Sequence, residues 1–171
     1  MVFCGRSNVG KSSLINALVG QHRLARVSRT PGRTRQINFF SVTRMGTFVD
    51  LPGYGYARVP DAVRASWKSL VDGYLAADRP VAILLLLVDA RHAPTRQDDQ
   101  MLRWTENAGL PARVVLTKAD AVPRSRLRST VHSAARTLGL EGTGSLPIPV
   151  SSRTGQGIED LRAMIYRTVN R

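Results

Sequence analysis

Residues 5–12 read Gly5-Arg6-Ser7-Asn8-Val9-Gly10-Lys11-Ser12, between an apolar run (Val2, Phe3, Cys4) and an amphipathic stretch over 11–19. The pattern is G-x-x-x-x-G-K-[ST] in the setting that gives it meaning, after a strand and at the opening of a helix. Glycines let the backbone curl until successive N–H groups face one point, and the helix N-terminus adds partial positive charge there. That arrangement suits phosphate. Lys11 can reach the β- and γ-phosphates of a nucleotide and the Ser12 hydroxyl can ligate Mg²⁺, while Arg6, Ser7, Asn8 and Val9 supply the curled backbone. At average composition, a chance match somewhere in 171 residues is below about one per cent.

Outward from this loop, strand-like and helix-like periods alternate. Residues 36–43 and 47–51 read as paired strands, 81–88 as a continuous apolar strand, and 112–116 and 148–150 as two more. Helical spacing marks 62–77, 96–107, 124–138 and 158–169; Val63, Trp67, Leu70, Val71 and Tyr74 share one face of the first. The order β-α-β-β-α-β-α-β-α-β-α predicts one doubly wound α/β domain over 1–171. Its sheet is mostly parallel with helices on both faces, and with the loop at 5–12 it makes a P-loop NTPase fold. Ligands of such sheets sit beyond the carboxyl ends of strands, so the loops there are the places to look.

Three of those loops carry chemistry. Asp50 closes a strand 39 residues after Lys11 and opens Asp50-Leu51-Pro52-Gly53; its carboxylate can hold Mg²⁺ through water, and the Gly53 N–H can contact a γ-phosphate. Thr117-Lys118-Ala119-Asp120 follows another strand, and an Asp there can accept hydrogen bonds from guanine's ring N–H and exocyclic amine. Adenine has neither donor and would leave a buried acceptor unpaired. The Lys118 stem can cover the base. Beyond the last strand, Val150, Ser151 and Ser152 start a turn whose N–H groups would close over the base. Lysine usage agrees: of 25 basic residues only three are Lys, and two of those are Lys11 and Lys118. An Arg-rich chain keeps Lys where a compact ammonium on a flexible stem is needed.

The bulk numbers bound the partners. The chain is 43% hydrophobic and 22% charged, as in globular proteins, and its longest apolar run falls far short of the roughly 20 residues that cross a bilayer. No signal segment opens it, and no membrane role is expected. The single Cys4 permits no internal disulfide, fits a reducing cytosol and reads as a small core residue. A net charge of +13 favours a polyanion, nucleic acid or an anionic membrane surface and above all nucleic acid, although Arg on solvated faces would give the same count.

GRSNVGKSSLIN, RLARVSRTPGRTRQINFF, VDLPGYGYA, DARHAPTRQDDQML, LTKAD and the SSRTGQG turn together resemble the EngB family of bacterial ribosome-assembly GTPases over essentially the whole chain. TPGRTRQINFF with DLPGYGYA is specific to that family. The resemblance implies a Ras-like G domain and a Mg²⁺-dependent GTPase of low intrinsic activity that binds GTP and GDP. It would be a cytoplasmic, monomeric switch in large-subunit assembly, docked on rRNA and linked to normal cell division. It also implies that Thr34 ligates Mg²⁺ in the GTP state, with Gly32, Arg33, Arg35 and Gln36 beside it at the nucleotide; on chemistry alone Thr30 is an alternative. Family members carry a short segment ahead of a longer first strand, so a misplaced start or a truncation is expected at Met1.

Tyr54 stands where a Ras-type switch keeps the Gln that orients the attacking water. Two answers remain open. Asn8 resembles the Asn that binds K⁺ in cation-activated GTPases, or it is simply a turn residue tolerating an unusual backbone angle. Alternatively, a partner supplies the catalytic group. Five Arg (23, 26, 29, 33, 35) and no acid lie in the switch I region, and four more with His132 lie between 124 and 136. An Arg-rich loop ordered by the γ-phosphate would couple nucleotide state to RNA affinity. Tyr54 and Tyr56 either stack on RNA or pack within switch II; Trp67 and Trp104 read as core, and His22, His92 and His132 as surface residues without metal-ligand spacing. Two other classes remain: a switch acting through a protein partner, and a basic RNA-binding module with an uncoupled nucleotide site.

Overall fold

The computed structural model describes residues 1–21, 24–25, 36–54, 69, 73–74 and 80–170. Its strands are β1 (Val2–Gly5), β2 (Asn38–Val42), β3 (Gly46–Asp50), β4 (Leu84–Asp89), β5 (Ala112–Thr117) and β6 (Ile148–Pro149). Its helices are α1 (Lys11–Val19), α2 (Arg96–Asn107), α3 (Arg124–Thr137) and α4 (Ile158–Val169), with a 3₁₀ turn at Ala119–Ala121. The sheet order is β2-β3-β1-β4-β5-β6; among the described strands only the edge strand β2 is antiparallel, hairpinned to β3. This is the doubly wound, mostly parallel sheet that the alternation predicts.

The two-residue period of the strands decides which layer each side chain enters. In β1 and β4, Phe3, Leu85 and Leu87 face the layer made by Leu14, Ile15 and Leu18 of α1 with Leu161 and Ile165 of α4. Val2, Cys4, Leu84, Leu86 and Val88 face the other way, onto Leu102 of α2 and Val131, Ala134 and Ala135 of α3. A strand covered on both faces has no polar side, which is why the apolar run near 81–88 is continuous. Phe3 and Phe48 close the first layer with ring centroids 5.0 Å apart.

Several boundaries differ from the periodic reading. β4 starts at Leu84 and runs on to Asp89, because its register on β5 pairs Leu84 with Ala112 and Asp89 with Thr117. β2 keeps only the residues from Asn38 to Val42 that pair with β3, and α3 ends at Thr137, with Leu138 as its cap. Of the helix expected over 62–77, only Ser69, Gly73 and Tyr74 lie within the described residues; Tyr74 packs edge-on against Phe39 at 5.9 Å. Trp67, Tyr56 and His22 lie outside them, as do Thr30, Gly32, Arg33, Thr34 and Arg35 and the rest of the Arg-rich switch I segment. Trp104 is half-buried against the second core layer, while His92 and His132 are exposed.

Candidate nucleotide-binding site

The carboxyl ends of β1, β3, β4 and β5 bring the loops at 5–12, 50–54 and 117–120 to one edge of the sheet. Sterics shape the first of them. A Cβ on Gly5 would sit 2.8 Å from the Leu87 carbonyl oxygen, and Gly10 has φ 101. Both positions therefore want glycine. Asn8, at φ 64, is one of three non-glycine residues in the left-handed region among the described residues, the unusual backbone angle that the turn here requires. The loop's N–H groups divide into two sets. Ser7 donates to the Tyr54 carbonyl at 3.0 Å and Val9 to the Arg6 carbonyl at 3.1 Å, which fixes the curl. The first-turn N–H groups of α1 have no carbonyl one turn back and are the ones a phosphate can use.

The start of α1 is built unlike that of α2. Helix α2 opens with a capping box, Thr95 with Asp98, and carries Asp98 and Asp99 in its first turn. Helix α1 opens on Gly10 with no side-chain cap and no acid in its first turn. Its positive end is left for an external anion. Lys11 is buried and forms an ion pair with Asp50, itself only 2% exposed. The buried Nε of Arg6 has no hydrogen-bond partner among the described residues, a group of the kind that a ligand or a loop movement satisfies.

The loop after β3 is tied to the phosphate loop at its backbone. Tyr54 N–H donates to the Gly5 carbonyl at 3.2 Å, and a Cβ on Gly53 would stand 3.0 Å from the Ser7 nitrogen. The Tyr54 side chain packs inward, and its hydroxyl donates to Asp98 Oδ1 at 2.8 Å. Asp98 is 1% exposed and also accepts from the Thr95 N–H at 2.8 Å and the Thr95 hydroxyl at 2.7 Å. Burial pushes the Tyr54 phenol above its usual range, and the neighbouring Cys4 and Asp98 add to this. Packing, the second reading of Tyr54, is what its surroundings support; a side chain anchored to Asp98 is not presented to a base for stacking.

The guanine-type loop is held by contacts that the motif does not reveal. The Thr117 hydroxyl is buried and donates to the Val9 carbonyl at 2.6 Å, so it braces one loop against the other. Lys118 has φ 58, and its ammonium reaches the Asn8 carbonyl and Asp89 Oδ2, both at 2.7 Å. Arg91 grips the same Asp89 through Nε at 2.9 Å and a terminal nitrogen at 2.8 Å. Burial alone would raise Asp89, but hydrogen bonds from Arg91 and Lys118 outweigh it and hold the carboxyl well below its usual range. Asp120 accepts from the Ser151 hydroxyl at 2.6 Å and from Arg153 Nε at 2.8 Å; the Ser151 bond leads in lowering its pKa. Ala119 N–H donates to the Val150 carbonyl at 3.0 Å, joining the two base-side loops.

The site thus unites Gly5 to Ser12, Asp50 to Gly53, Thr117 to Asp120 and Val150 to Ser152, while Gln36 is exposed at the mouth of β2. Sequence reading missed Asp89, Asp98 and Arg153. Asp89 ends a central parallel strand, and that position alone would have flagged it.

A family profile described as "50S ribosome-binding GTPase" matches residues 1–118. The chain is 44% identical to the probable GTP-binding protein EngB of Pelotomaculum thermopropionicum over 169 residues, covering 99% of this chain and 85% of that one. It is 42% identical to that of Halothermothrix orenii, covering 98% and 84%. Among solved structures, a probable GTP-binding protein engB superposes with a TM-score of 0.82 at 23% identity, covering 99% of this chain and 97% of that one. Era bound to MgGDPNP and a segment of 16S ribosomal RNA superposes at 0.77 and 20% identity, covering 98% and 55%. At these identities the structural likenesses speak for the fold.

Proposed function

The chain belongs to the EngB family of GTP-binding proteins, and from that premise we propose a Mg²⁺-dependent GTPase of low intrinsic rate that acts as a switch in assembly of the large ribosomal subunit, as one G domain. The observation that carries the reading is the bracing of the phosphate and guanine-type loops on each other, through Thr117 to Val9 and Lys118 to Asn8. A nucleotide lying across both would meet N–H groups at one end and the Asp120 carboxylate at the other.

The residues divide the work. Lys11 and the first-turn N–H groups of α1 hold the β- and γ-phosphates. Asp50 and the Gly53 N–H sense the γ-phosphate, and Asp120 accepts the two guanine donors with Lys118 along the base. Thr117, its hydroxyl committed elsewhere, positions them. The donor set fits Mg²⁺: the Ser12 hydroxyl and the Asp50 carboxylate are hard oxygens, and the described residues hold no cluster of three His, Cys, Asp or Glu that would form a protein cage. Bound there with a Thr34 hydroxyl, the ion would neutralise charge on the β- and γ-oxygens. In the reaction water attacks the γ-phosphorus, the bond to the β,γ-bridging oxygen breaks, and GDP and phosphate leave.

Charge stabilisation in place of the Gln would come from a K⁺ held at Asn8 or from the docked ribosomal particle. Exchanging KCl for NaCl separates the two: a rate that falls in Na⁺ assigns it to the ion, and an unchanged rate to the particle. The basic α3, with Arg124, Arg126, Arg128 and His132 all exposed, supports an RNA partner. The cytoplasmic, ribosome-bound life of such a switch and its link to cell division are part of the same proposal and rest on the family alone. No helix among the described residues is long and apolar enough to cross a membrane. The test is co-sedimentation with purified large subunits at physiological salt, with a non-hydrolysable GTP analogue, GDP or no nucleotide. Tighter binding with the analogue than with GDP is expected. Equal binding in all three states would refute the switch and leave a basic RNA binder.

A further inference from the structure

The geometry points to Asp89 as a positioning residue for guanine nucleotides, acting through Lys118 and resting on the guanine-binding reading above. Lys118 is a non-glycine residue in the left-handed region, φ 58. That conformation is unfavourable for a residue with a Cβ and persists only where the surroundings over-determine it. The Ala90 N–H to the Thr117 carbonyl and the Ala119 N–H to the Val150 carbonyl hold the backbone on either side, and two groups hold the side chain. The ammonium is held by the Asn8 carbonyl and by Asp89 Oδ2, each at 2.7 Å, which draws the four-carbon stem across the mouth of the phosphate loop. Gly10 marks the closeness: a Cβ there would lie 3.8 Å from Lys118 Cε.

Asp89 is itself fixed from three sides. It is the last residue of β4 and pairs in register with Thr117, the residue before Lys118. The Arg91 N–H donates to Asp89 Oδ1 at 3.1 Å, and the Arg91 guanidinium spans both carboxylate oxygens. The Asp89 side chain is 17% exposed against 46% for that of Arg91, so the carboxylate sits inside and the guanidinium covers it from solvent. The chain Arg91–Asp89–Lys118–Asn8 therefore joins the end of a central strand to both nucleotide loops. Without Asp89 the ammonium would keep one anchor, and the stem would sample positions off the base.

The experiment is a double-mutant cycle on the affinity and off-rate of a fluorescent GDP, with Asp89→Ala, Lys118→Ala and both together. Asp89→Ala is expected to weaken GDP about tenfold, chiefly through faster dissociation, and Asp89→Asn less. Arg91→Ala, which removes only the brace, is expected to cost about two- to threefold. In the Lys118→Ala background the Asp89 substitution should cost less than about twofold, because its route is gone. A merely structural Asp89 would cost the same factor with or without Lys118, and that additivity would overturn the proposal. So would wild-type affinity in Asp89→Ala. Unfolding midpoints without nucleotide show that each variant is folded, and Asp89→Asn keeps the cycle usable if Asp89→Ala is not. A parent chain that holds GDP no better than ADP would instead overturn the guanine reading, and this proposal with it.

Discussion

Tyr54→Phe removes one oxygen and tests whether the residue in the glutamine position anchors its loop. The lost group is the hydroxyl that donates to Asp98 Oδ1 at 2.8 Å. A hydrogen bond to a charged acceptor contributes about 1.5–3 kcal/mol. Asp98 Oδ2 would keep the Thr95 N–H and hydroxyl at 2.8 and 2.7 Å, but the buried Oδ1 would lose its donor, so the upper end applies, about 3 kcal/mol. For a chain of this length 1 kcal/mol moves the midpoint by about 2–4 °C, so Tm should fall by about 6–12 °C. Alkali gives a second signature. The folded-state pKa of Tyr54 lies above its unfolded value near 10.0, so its contribution is present below pH 10 and lost as pH rises toward the folded value. Above about pH 10 the unfolded chain binds one proton fewer than the folded chain, and wild-type stability drops by about 1.4 kcal/mol per pH unit from this group alone. Cys4 contributes in the same sense in both proteins, so the difference between wild type and Tyr54→Phe isolates the phenol. Urea unfolding at pH 7, 10 and 10.5 measures both effects. Equal midpoints at pH 7 with parallel pH profiles would refute the anchoring role.

Further predictions follow from the same geometry. Asp120→Asn replaces an acceptor pair with one acceptor and one donor, so GDP should weaken by about 10²-fold or more while xanthosine diphosphate, carbonyl in place of amine, gains; competition binding measures the pair, and unchanged GDP affinity counts against Asp120. The Cys4 thiol, pushed up to about 12 by burial, should resist a thiol reagent at pH 8 in the native protein and react at once in denaturant. Native reaction at a free-thiol rate would contradict its core position. Gly157→Ala puts a Cβ 2.4 Å from the Pro149 carbonyl oxygen at φ 69, so the start of α4 must shift at a cost of about 2–4 kcal/mol. Chemical denaturation would show the loss, and wild-type stability would argue that the turn after β6 is pliable.

What the sequence by itself determined is the set of motifs carried by contiguous residues. The candidate phosphate loop, Asp50 to Gly53 and Thr117 to Asp120 are legible because each packs its motif into a few adjacent positions after a strand. The same holds for the order of strands and helices, since periods of two and 3.6 are local properties. The tertiary structure decided everything that depends on register between distant segments. Lys118 meets Asp89 across 29 positions, Ser151 meets Asp120 across 31, and Tyr54 meets Asp98 across 44. No local pattern announces such pairs. Which carboxylate faces which donor is set by how β4 aligns with β5 and where α2 begins, and a one-residue slip of a strand turns every side chain to the other face. The fate of Tyr54 shows the division most clearly. Its place after Gly53 reads as a departure from a hydrolytic pattern, and only the packing of α2 makes it the loop's tie to a buried capping carboxylate.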